Sequence, residues 1–286
     1  MKIKKILNNN AAIVMDGQEE KIAIGSGIAF NKRKNDVISL SKVKRLFVME
    51  EKEKFQQLLL QIPEAHFAIS EQIILYAEKM IGTKLNEHIH ISLTDHLSFA
   101  IERVKEGIHL ENKLLNEIKV LYQTEFKIGL WALKLIAEQL HIEMPIDEAA
   151  YIALHIHTAK MQTKDMHETI RQTSIMRDIV ELIKTDLKMT FADDDIAYQR
   201  LITHLRYVIS RIDTHELHTL DEEMLEMIKK KFPDSFRCSE EVSSLLQLKY
   251  EQKLPAAELG YIALHIERLR QRRKALSNRG SDQSGV

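Results

Sequence analysis

The sequence predicts a multidomain protein in which a small all-β domain at the N-terminus is followed by two all-α helical bundles. The hexapeptide YIALHI occurs at residues 151–156 and again at residues 261–266, 110 positions apart, with further matches at the same offset. Apolar residues recur at helical spacing from about residue 50 onward. Before that point, short apolar segments alternate with turn-forming residues, which is typical of strands. The chain therefore contains a duplicated helical domain behind a β domain.

The first 48 residues predict a small antiparallel sheet. Strands are expected at residues 3–7, 11–15, 21–24 and 43–48. Three asparagines at residues 8–10 separate the first two strands, and Asp16-Gly17 is a hairpin signal before the third. Gly25-Ser26-Gly27 is a tight bend that lets the backbone approach a partner closely. So short a sheet has a thin core, and association of two copies is a common remedy.

The remainder of the chain predicts two antiparallel bundles of about five helices each. Helices are expected at residues 51–60, 70–81, 92–104, 112–122, 125–140, 146–161, 166–186, 195–211, 221–232, 236–252 and 256–276. The predicted domains are residues 1–56, 64–169 and 170–278. The polar segment 279–286 contains glycine and serine and is expected to be a disordered tail.

Composition narrows the class of protein. Of the 286 residues 44% are apolar, and no apolar run reaches the ~18 residues that a membrane-spanning helix needs, so we expect no membrane insertion. A single cysteine and the lack of an apolar signal core favour the cytoplasm. The net charge of −1 conceals an asymmetry, because residues 1–48 carry +6. A basic module attached to acidic helices indicates a polyanionic partner for that module.

The basic module combines three kinds of side chain that bind nucleic acid. Its cations suit phosphates, its amides suit base edges and its aromatic ring suits stacking. Together with the glycines of the tight bend, the candidate residues are Lys5, Asn8, Asn10, Gly25, Gly27, Phe30, Lys32, Arg33 and Lys34. No helix-turn-helix is visible there, so RNA loops are a better target than the DNA major groove. A basic, solvated hairpin without a partner remains the alternative.

Each helical copy keeps two histidines at like positions, His96 and His155 in the first and His204 and His265 in the second. Arg103 follows His96 by seven residues, about two helical turns, and so lies on nearly the same face. The alternatives are a histidine hydrogen-bonded between helices, a metal ligand, or a phosphate acceptor. A phosphate on imidazole would add negative charge at such a seam, and an arginine could receive it.

Metal binding and catalysis find little support in the motifs. His155 and His157 are two residues apart, so on a helix they point in nearly opposite directions and cannot share an ion. Neither a phosphate-binding glycine loop nor a nucleophile motif is present, and Cys238 has no histidine near it in sequence. We expect no catalytic residue, metal or cofactor, although a metal-dependent or acid–base enzyme in the bundles remains the alternative class.

The pieces together resemble one family. The N-terminal MKIKKILNNNAAIV and GSGIAFNKRKND resemble the RNA-binding co-antiterminator domain of BglG/SacY-type transcriptional antiterminators. The segments LNEHIHISLTDHLSFAIER, PIDEAAYIALHIHTAK, RLITHLRYVISR and YIALHIERL resemble that family's two PTS regulation domains. The resemblance covers residues 1–275, in the family's domain order. Within the family, the sequence is most similar to the sucrose-responsive members.

The resemblance implies a homodimer that binds a hairpin in nascent leader mRNA and prevents an overlapping terminator from forming, thereby activating a sugar operon. RNA contacts would fall on Lys5, Asn8, Asn10, Gly25, Ser26, Gly27, Phe30 and Arg33. Phosphorylation would fall on His96, His155, His204 and His265. The sugar permease (enzyme II) would phosphorylate the first regulatory domain and inactivate the protein, and the phosphocarrier HPr would phosphorylate the second. A DNA-binding regulator with the same phosphate switch is the remaining alternative.

Overall fold

The computed structural model describes residues 1–17, 19–25, 27–43, 45–47, 57–58, 61–162, 165–188, 190–191, 195–212 and 220–281. The predicted fold class, a small all-β domain followed by all-α bundles, is confirmed. Contacts divide the chain into two units. One comprises Met1–Lys113 and Tyr122–Met166, and the other Leu114–Leu121 and His167–Val286. Among the described helices none is long and apolar enough to cross a lipid bilayer.

The β domain is a four-stranded antiparallel sheet in the order β1-β2-β3-β4. Its strands are β1 (Lys2–Asn8), β2 (Ala11–Asp16), β3 (Glu19–Ile24) and β4 (Arg45–Phe47), with a 3-10 turn at Leu40–Lys42. The predicted hairpin turn is present, and Gly17 takes the left-handed conformation (φ 67°) that such a turn requires. The helix predicted at residues 51–60 lies mostly outside the described residues.

Each face of the sheet has its own apolar cover. One face, with Ile3 and Val14, is covered by the chain between β3 and β4 through Ile28 and Ile38. The other face packs against the first helical bundle, which contributes Phe67 and Ile91 to the contact. The sheet residues on this face are Leu7, Ala11, Ile13, Ile22 and Ile24. The thin core expected from the sequence is therefore completed within the chain, by burying a second apolar surface against helices.

The helices of the first unit are α1 (Glu64–Ile81), α2 (Ile89–Lys105), α4 (Gln123–Leu140) and α5 (Ile146–Lys160). Pro63 precedes α1, and Gly82 ends it in the left-handed conformation (φ 81°). Buried isoleucines and leucines of all four helices form one core. Trp131 stacks on Tyr76 at the edge of that core, with 3.8 Å between the ring centroids.

The second unit contains α3 (Leu115–Leu121), α6 (Met166–Leu187), α7 (Ile196–Ile212), α8 (Glu222–Lys231), α9 (Pro233–Tyr250) and α10 (Ala256–Ser281). Ile228, Phe236 and Ala263 join α8, α9 and α10 in a buried cluster. By its contacts α3 belongs to this unit, where it meets α7, although its sequence lies inside the predicted domain 64–169. Helix α8 corresponds to α3 in the duplication, and it contacts α9 and α10.

The end of the chain differs from the expected disordered tail. Helix α10 continues to Ser281, so residues 279–281 are helical, and residues 282–286 lie outside the described part. The residues before Ser277 are mostly lysine, arginine, alanine and leucine, which favour helix, and an established helix extends at low cost into a few poorer residues.

Candidate functional site

The first candidate site is the pair of loops at one end of the sheet. Asn10 ties them together, because its backbone carbonyl accepts a hydrogen bond from Gly25 N–H at 2.9 Å and its Oδ1 accepts one from Gly27 N–H at 2.6 Å. Asn8 Oδ1 accepts from Asn10 N–H at 2.9 Å, which fixes the preceding turn. The asparagines and the glycine bend, separate in sequence, are thus one structural element.

Two glycines in this element are required for different reasons. A Cβ on Gly25 would lie 1.9 Å from the carbonyl oxygen of Lys42, closer than any nonbonded contact allows. Gly27 has open space around it but a φ of 61°, a conformation that glycine adopts readily and other residues adopt at a cost. Ser26 between them lies outside the described residues, so its predicted role stays a prediction.

Around this element the exposed side chains suit a polyanion. The ring of Phe30 is 59% exposed, so its face is available to a stacking partner. Lys5 and Arg33 are exposed as well. Asn8 Nδ2 is buried and finds no hydrogen-bond partner among the described residues. Asn10 Oδ1 already accepts a hydrogen bond from Gly27 N–H, whereas no hydrogen bond of Asn10 Nδ2 is seen among the described residues.

The second candidate site joins His96 on α2 to His155 on α5. Their ring centroids are 5.0 Å apart, and the Tyr151 ring is 5.4 Å from His96. Beneath the pair lies Glu148, whose Oε2 is 3.0 Å from His96 Nε2 and whose Oε1 accepts a hydrogen bond from Arg103 at 2.5 Å. The sequence prediction that Arg103 shares a face with His96 agrees with this geometry.

The second copy repeats the arrangement with α7 and α10. The rings of His204 and His265 have centroids 5.0 Å apart, and Tyr261 is 5.9 Å from His204. Glu258 Oε2 lies 3.3 Å from His204 Nε2. The carboxylates are almost completely buried in both copies, with Glu148 at 0% and Glu258 at 1% exposure. Duplication has therefore preserved a group of four side chains rather than single histidines.

Burial and like charge keep one histidine of each pair neutral. Burial, with His96 and His88 nearby, lowers the pKa of His155 well below its ordinary value. In the second copy burial, together with His204, Arg268 and Arg200, lowers the pKa of His265 to about 4. Neutral imidazole carries the lone pair that attacks phosphorus, so low pKa values favour a nucleophile at neutral pH.

The two histidines of YIALHIH, His155 and His157, have different neighbours in the structure. His155 faces His96, whereas His157 stacks on Tyr122 and lies 3.2 Å from the buried carboxylate of Glu125. Within the described residues no group of histidine, cysteine and acidic side chains could hold a metal ion. Cys238 is buried, and burial raises its pKa to about 12, which suppresses the reactive thiolate.

Sequence reasoning did not assign Glu148 and Glu258 to the site. Their signal was present, since each precedes the histidine of YIALHI by seven residues, two turns along the same helix face. Both are also preserved at the same offset in the duplication. A buried carboxylate is retained only where partners compensate its charge, and His96 and Arg103 do so for Glu148.

Comparisons with known proteins cover both sites. A model described as the CAT RNA binding domain matches residues 1–56, and a model described as the PRD domain matches residues 71–159 and 177–269. The chain is 37% identical to transcription antiterminator LicT of Bacillus subtilis strain 168 over 94% of this chain and 99% of that protein. It is 36% identical to a beta-glucoside operon antiterminator of Dickeya chrysanthemi, over 94% and 97% of the two chains.

Two further relatives extend the comparison. The chain is 30% identical to the GlcA/glcB genes antiterminator of Staphylococcus carnosus strain TM300, over 96% of this chain and 98% of that one. A crystal structure titled GlcT CAT-PRDI matches with a TM-score of 0.53 and 37% identity, covering 55% of this chain and 96% of that chain.

Proposed function

Since this chain belongs to the family of transcription antiterminators built from a CAT RNA-binding domain and two PRD domains, we propose that it binds a hairpin in nascent leader mRNA. Binding prevents an overlapping terminator from forming, so that polymerase reads into the operon. The relatives named above are antiterminators, and the chain is accordingly a transcription regulator rather than an enzyme. Acting on nascent transcripts places it in the cytoplasm.

The observation that carries the RNA proposal is the loop element around Asn10. Its backbone is held rigid by the hydrogen bonds to Gly25 and Gly27, while Phe30 and Arg33 project into solvent beside it. A rigid loop with an exposed ring and cations provides stacking and phosphate contacts at little entropic cost. Two such domains in a homodimer would clasp one hairpin from both sides.

The two histidine clusters supply the regulation. Phosphorylation adds about two negative charges to a site that already holds a buried carboxylate, so it changes the electrostatics of the helix seam sharply. We assign phosphorylation of His96 and His155 to the sugar permease and that of His204 and His265 to HPr. The first modification inactivates the protein when sugar is absent, by shifting the bundles between two arrangements.

The operon is one for a sugar taken up by the phosphotransferase system. Two of the relatives are named for beta-glucoside and glcA/glcB genes, and a beta-glucoside or glucose is therefore the sugar we propose. The resemblance to sucrose-responsive members receives no support from these names.

RNA binding tests the first part. Full-length protein should bind a labelled leader hairpin in a gel-shift assay, with an affinity that falls as salt rises, by a slope of about −0.7 per phosphate contacted. Duplex DNA of the same length is the matched competitor. Equal binding of both would refute the RNA proposal in favour of a DNA-binding regulator.

A reporter operon tests the regulation. His96→Ala and His155→Ala should raise antitermination without inducer, because both remove an inhibitory phosphate. Persistent repression in both variants would show that the sign assigned to the first PRD domain is wrong. Stoichiometric metal in the purified protein would instead favour the enzyme alternative.

A further inference from the structure

The two ring nitrogens of His96 stand in different surroundings. Nε2 lies 3.0 Å from Oε2 of Glu148, a carboxylate with 0% exposure that is also held by Arg103. An ionised carboxylate only accepts hydrogen bonds, so the nitrogen that faces it carries the proton. The contact with Glu148 therefore favours the Nε2–H tautomer of His96, in which the lone pair is on Nδ1, the nitrogen that does not face the carboxylate.

We propose that Glu148 is a positioning residue that presents Nδ1 of His96 to the phosphoryl donor, so that His96 becomes phosphorylated on Nδ1 and not on Nε2. This rests on the proposed phosphorylation of His96. A phosphoryl group on Nε2 would replace the hydrogen bond to Glu148 and place its oxygens against a buried negative charge. Attached to Nδ1, the group lies on the opposite side of the ring and leaves that hydrogen bond intact.

The reaction balances with a phosphohistidine protein as donor. The Nδ1 lone pair forms a bond to phosphorus while the donor's P–N bond breaks and returns its electron pair to the donor ring. The His96 ring becomes positive as it attacks, and the Glu148 carboxylate offsets that charge across the Nε2–H bond. The donor ring, protonated on its other nitrogen, leaves as neutral histidine, and the His96 ring keeps its Nε2 proton, which stays hydrogen-bonded to Glu148.

In the second copy the corresponding carboxylate, Glu258, lies farther from its histidine than Glu148 does from His96. Glu258 Oε2 lies 3.3 Å from His204 Nε2. Both ring nitrogens of His204 are buried, so in the described conformation His204 presents neither nitrogen to a donor. The proposed positioning role is therefore that of Glu148 toward His96 alone.

The tautomer can be measured without any donor. Two-bond proton–nitrogen correlation spectra of the full-length protein distinguish the protonated from the bare ring nitrogen, and the His96→Ala variant assigns the signals. We expect a bare Nδ1 and a protonated Nε2. The reverse pattern would overturn the inference whatever phosphorylates the protein.

Phosphorylation then tests the product. The protein is treated with phosphoramidate, and separately with phosphorylated HPr and a permease domain, and isomer-specific antibodies are applied to the peptide containing His96. The 1-phosphohistidine isomer, attached at Nδ1, is expected, and the 3-isomer would overturn the inference. Phosphorylation by phosphoramidate but not by the phosphotransferase proteins would refute the proposed function and leave the inference standing. Failure of His96 to react with either reagent would refute both.

Glu125 provides a matched control, since it is also a buried glutamate of the first bundle that contacts a histidine, His157, at 3.2 Å. Glu148→Gln should slow phosphorylation of His96 about tenfold, which corresponds to the loss of one charge-assisted hydrogen bond. It should also introduce the second isomer, because Gln donates as well as accepts. Glu125→Gln should change neither the rate nor the isomer. Equal effects of the two substitutions would reduce Glu148 to a structural role.

Discussion

Arg103→Met should destabilise the first bundle by removing the cation that holds Glu148. Arg103 donates to Glu148 Oε1 at 2.5 Å, and the side chains are 20% and 0% exposed. Breaking a buried ion pair from one side costs about 3–5 kcal/mol. Because Arg103 is partly exposed and the carboxylate keeps its contact with His96, we expect a loss of about 2–4 kcal/mol.

Trp131 makes the measurement specific to this bundle. It is the one tryptophan of the chain and is stacked on Tyr76 at the edge of the first core. Urea unfolding followed by its fluorescence reports the first bundle alone. With a slope of about 2 kcal/mol per molar urea, the expected loss lowers the midpoint by roughly 1–2 M.

Two further variants test the reasoning. Lys105→Met removes an exposed cation that pairs with Glu102, and it should cost less than about 1 kcal/mol. The double variant Arg103→Met, Glu148→Leu removes both charges, and it should lose clearly less stability than the two single losses added together. Additive losses, or an Arg103→Met midpoint equal to that of Lys105→Met, would show that the pair is not a coupled buried unit.

Three other predictions concern the remaining sites. Gly25→Ala should abolish hairpin binding in a gel-shift assay, because its Cβ would lie 1.9 Å from the Lys42 carbonyl oxygen, whereas Gly17→Asn, at an open turn that tolerates asparagine, should bind normally. The pKa of His265 is lowered to about 4 in the folded protein. Below its ordinary pKa, His265 is therefore protonated in the unfolded chain but not in the folded one. Stability of the second bundle should therefore fall by about 1–2 kcal/mol as pH drops from roughly 6.5 to 4, after allowance for partial exposure, and His265→Gln should flatten that fall in urea titrations. Cys238, whose pKa is raised to about 12, should resist a thiol reagent at neutral pH until the protein is unfolded; rapid labelling of the native protein would contradict its burial.

The duplication and the helical periodicity were enough to predict the fold class and most helices. Residues 146–161, for example, were predicted as a helix that the structure places at Ile146–Lys160. The first helix of the bundle was predicted too short, because residues 64–69 contain only part of an apolar repeat. The structure begins α1 at Glu64, where Phe67 gains burial against the sheet. That contact is tertiary, so it produces no helical repeat of apolar residues in the sequence.

The sequence predicts the paired histidines, Arg103 and Asn10 as site residues, and the structure brings the two histidines of each copy together. The hydrogen bond from Gly27 to Asn10 and the position of Glu148 under His96 required the folded chain, since each joins residues far apart in sequence. Helical geometry excludes a shared ion at His155 and His157, but it does not reveal which helix supplies their partners.

The most direct test of the account is the affinity of the full-length protein for its leader hairpin before and after phosphorylation of the first PRD domain. We expect tight binding by unphosphorylated protein and a marked loss after treatment with phosphorylated permease domain. We also expect the double variant His96→Ala, His155→Ala to keep its affinity under that treatment. Equal affinity of the phosphorylated and unphosphorylated wild-type protein, with both histidines shown to be modified, would contradict it.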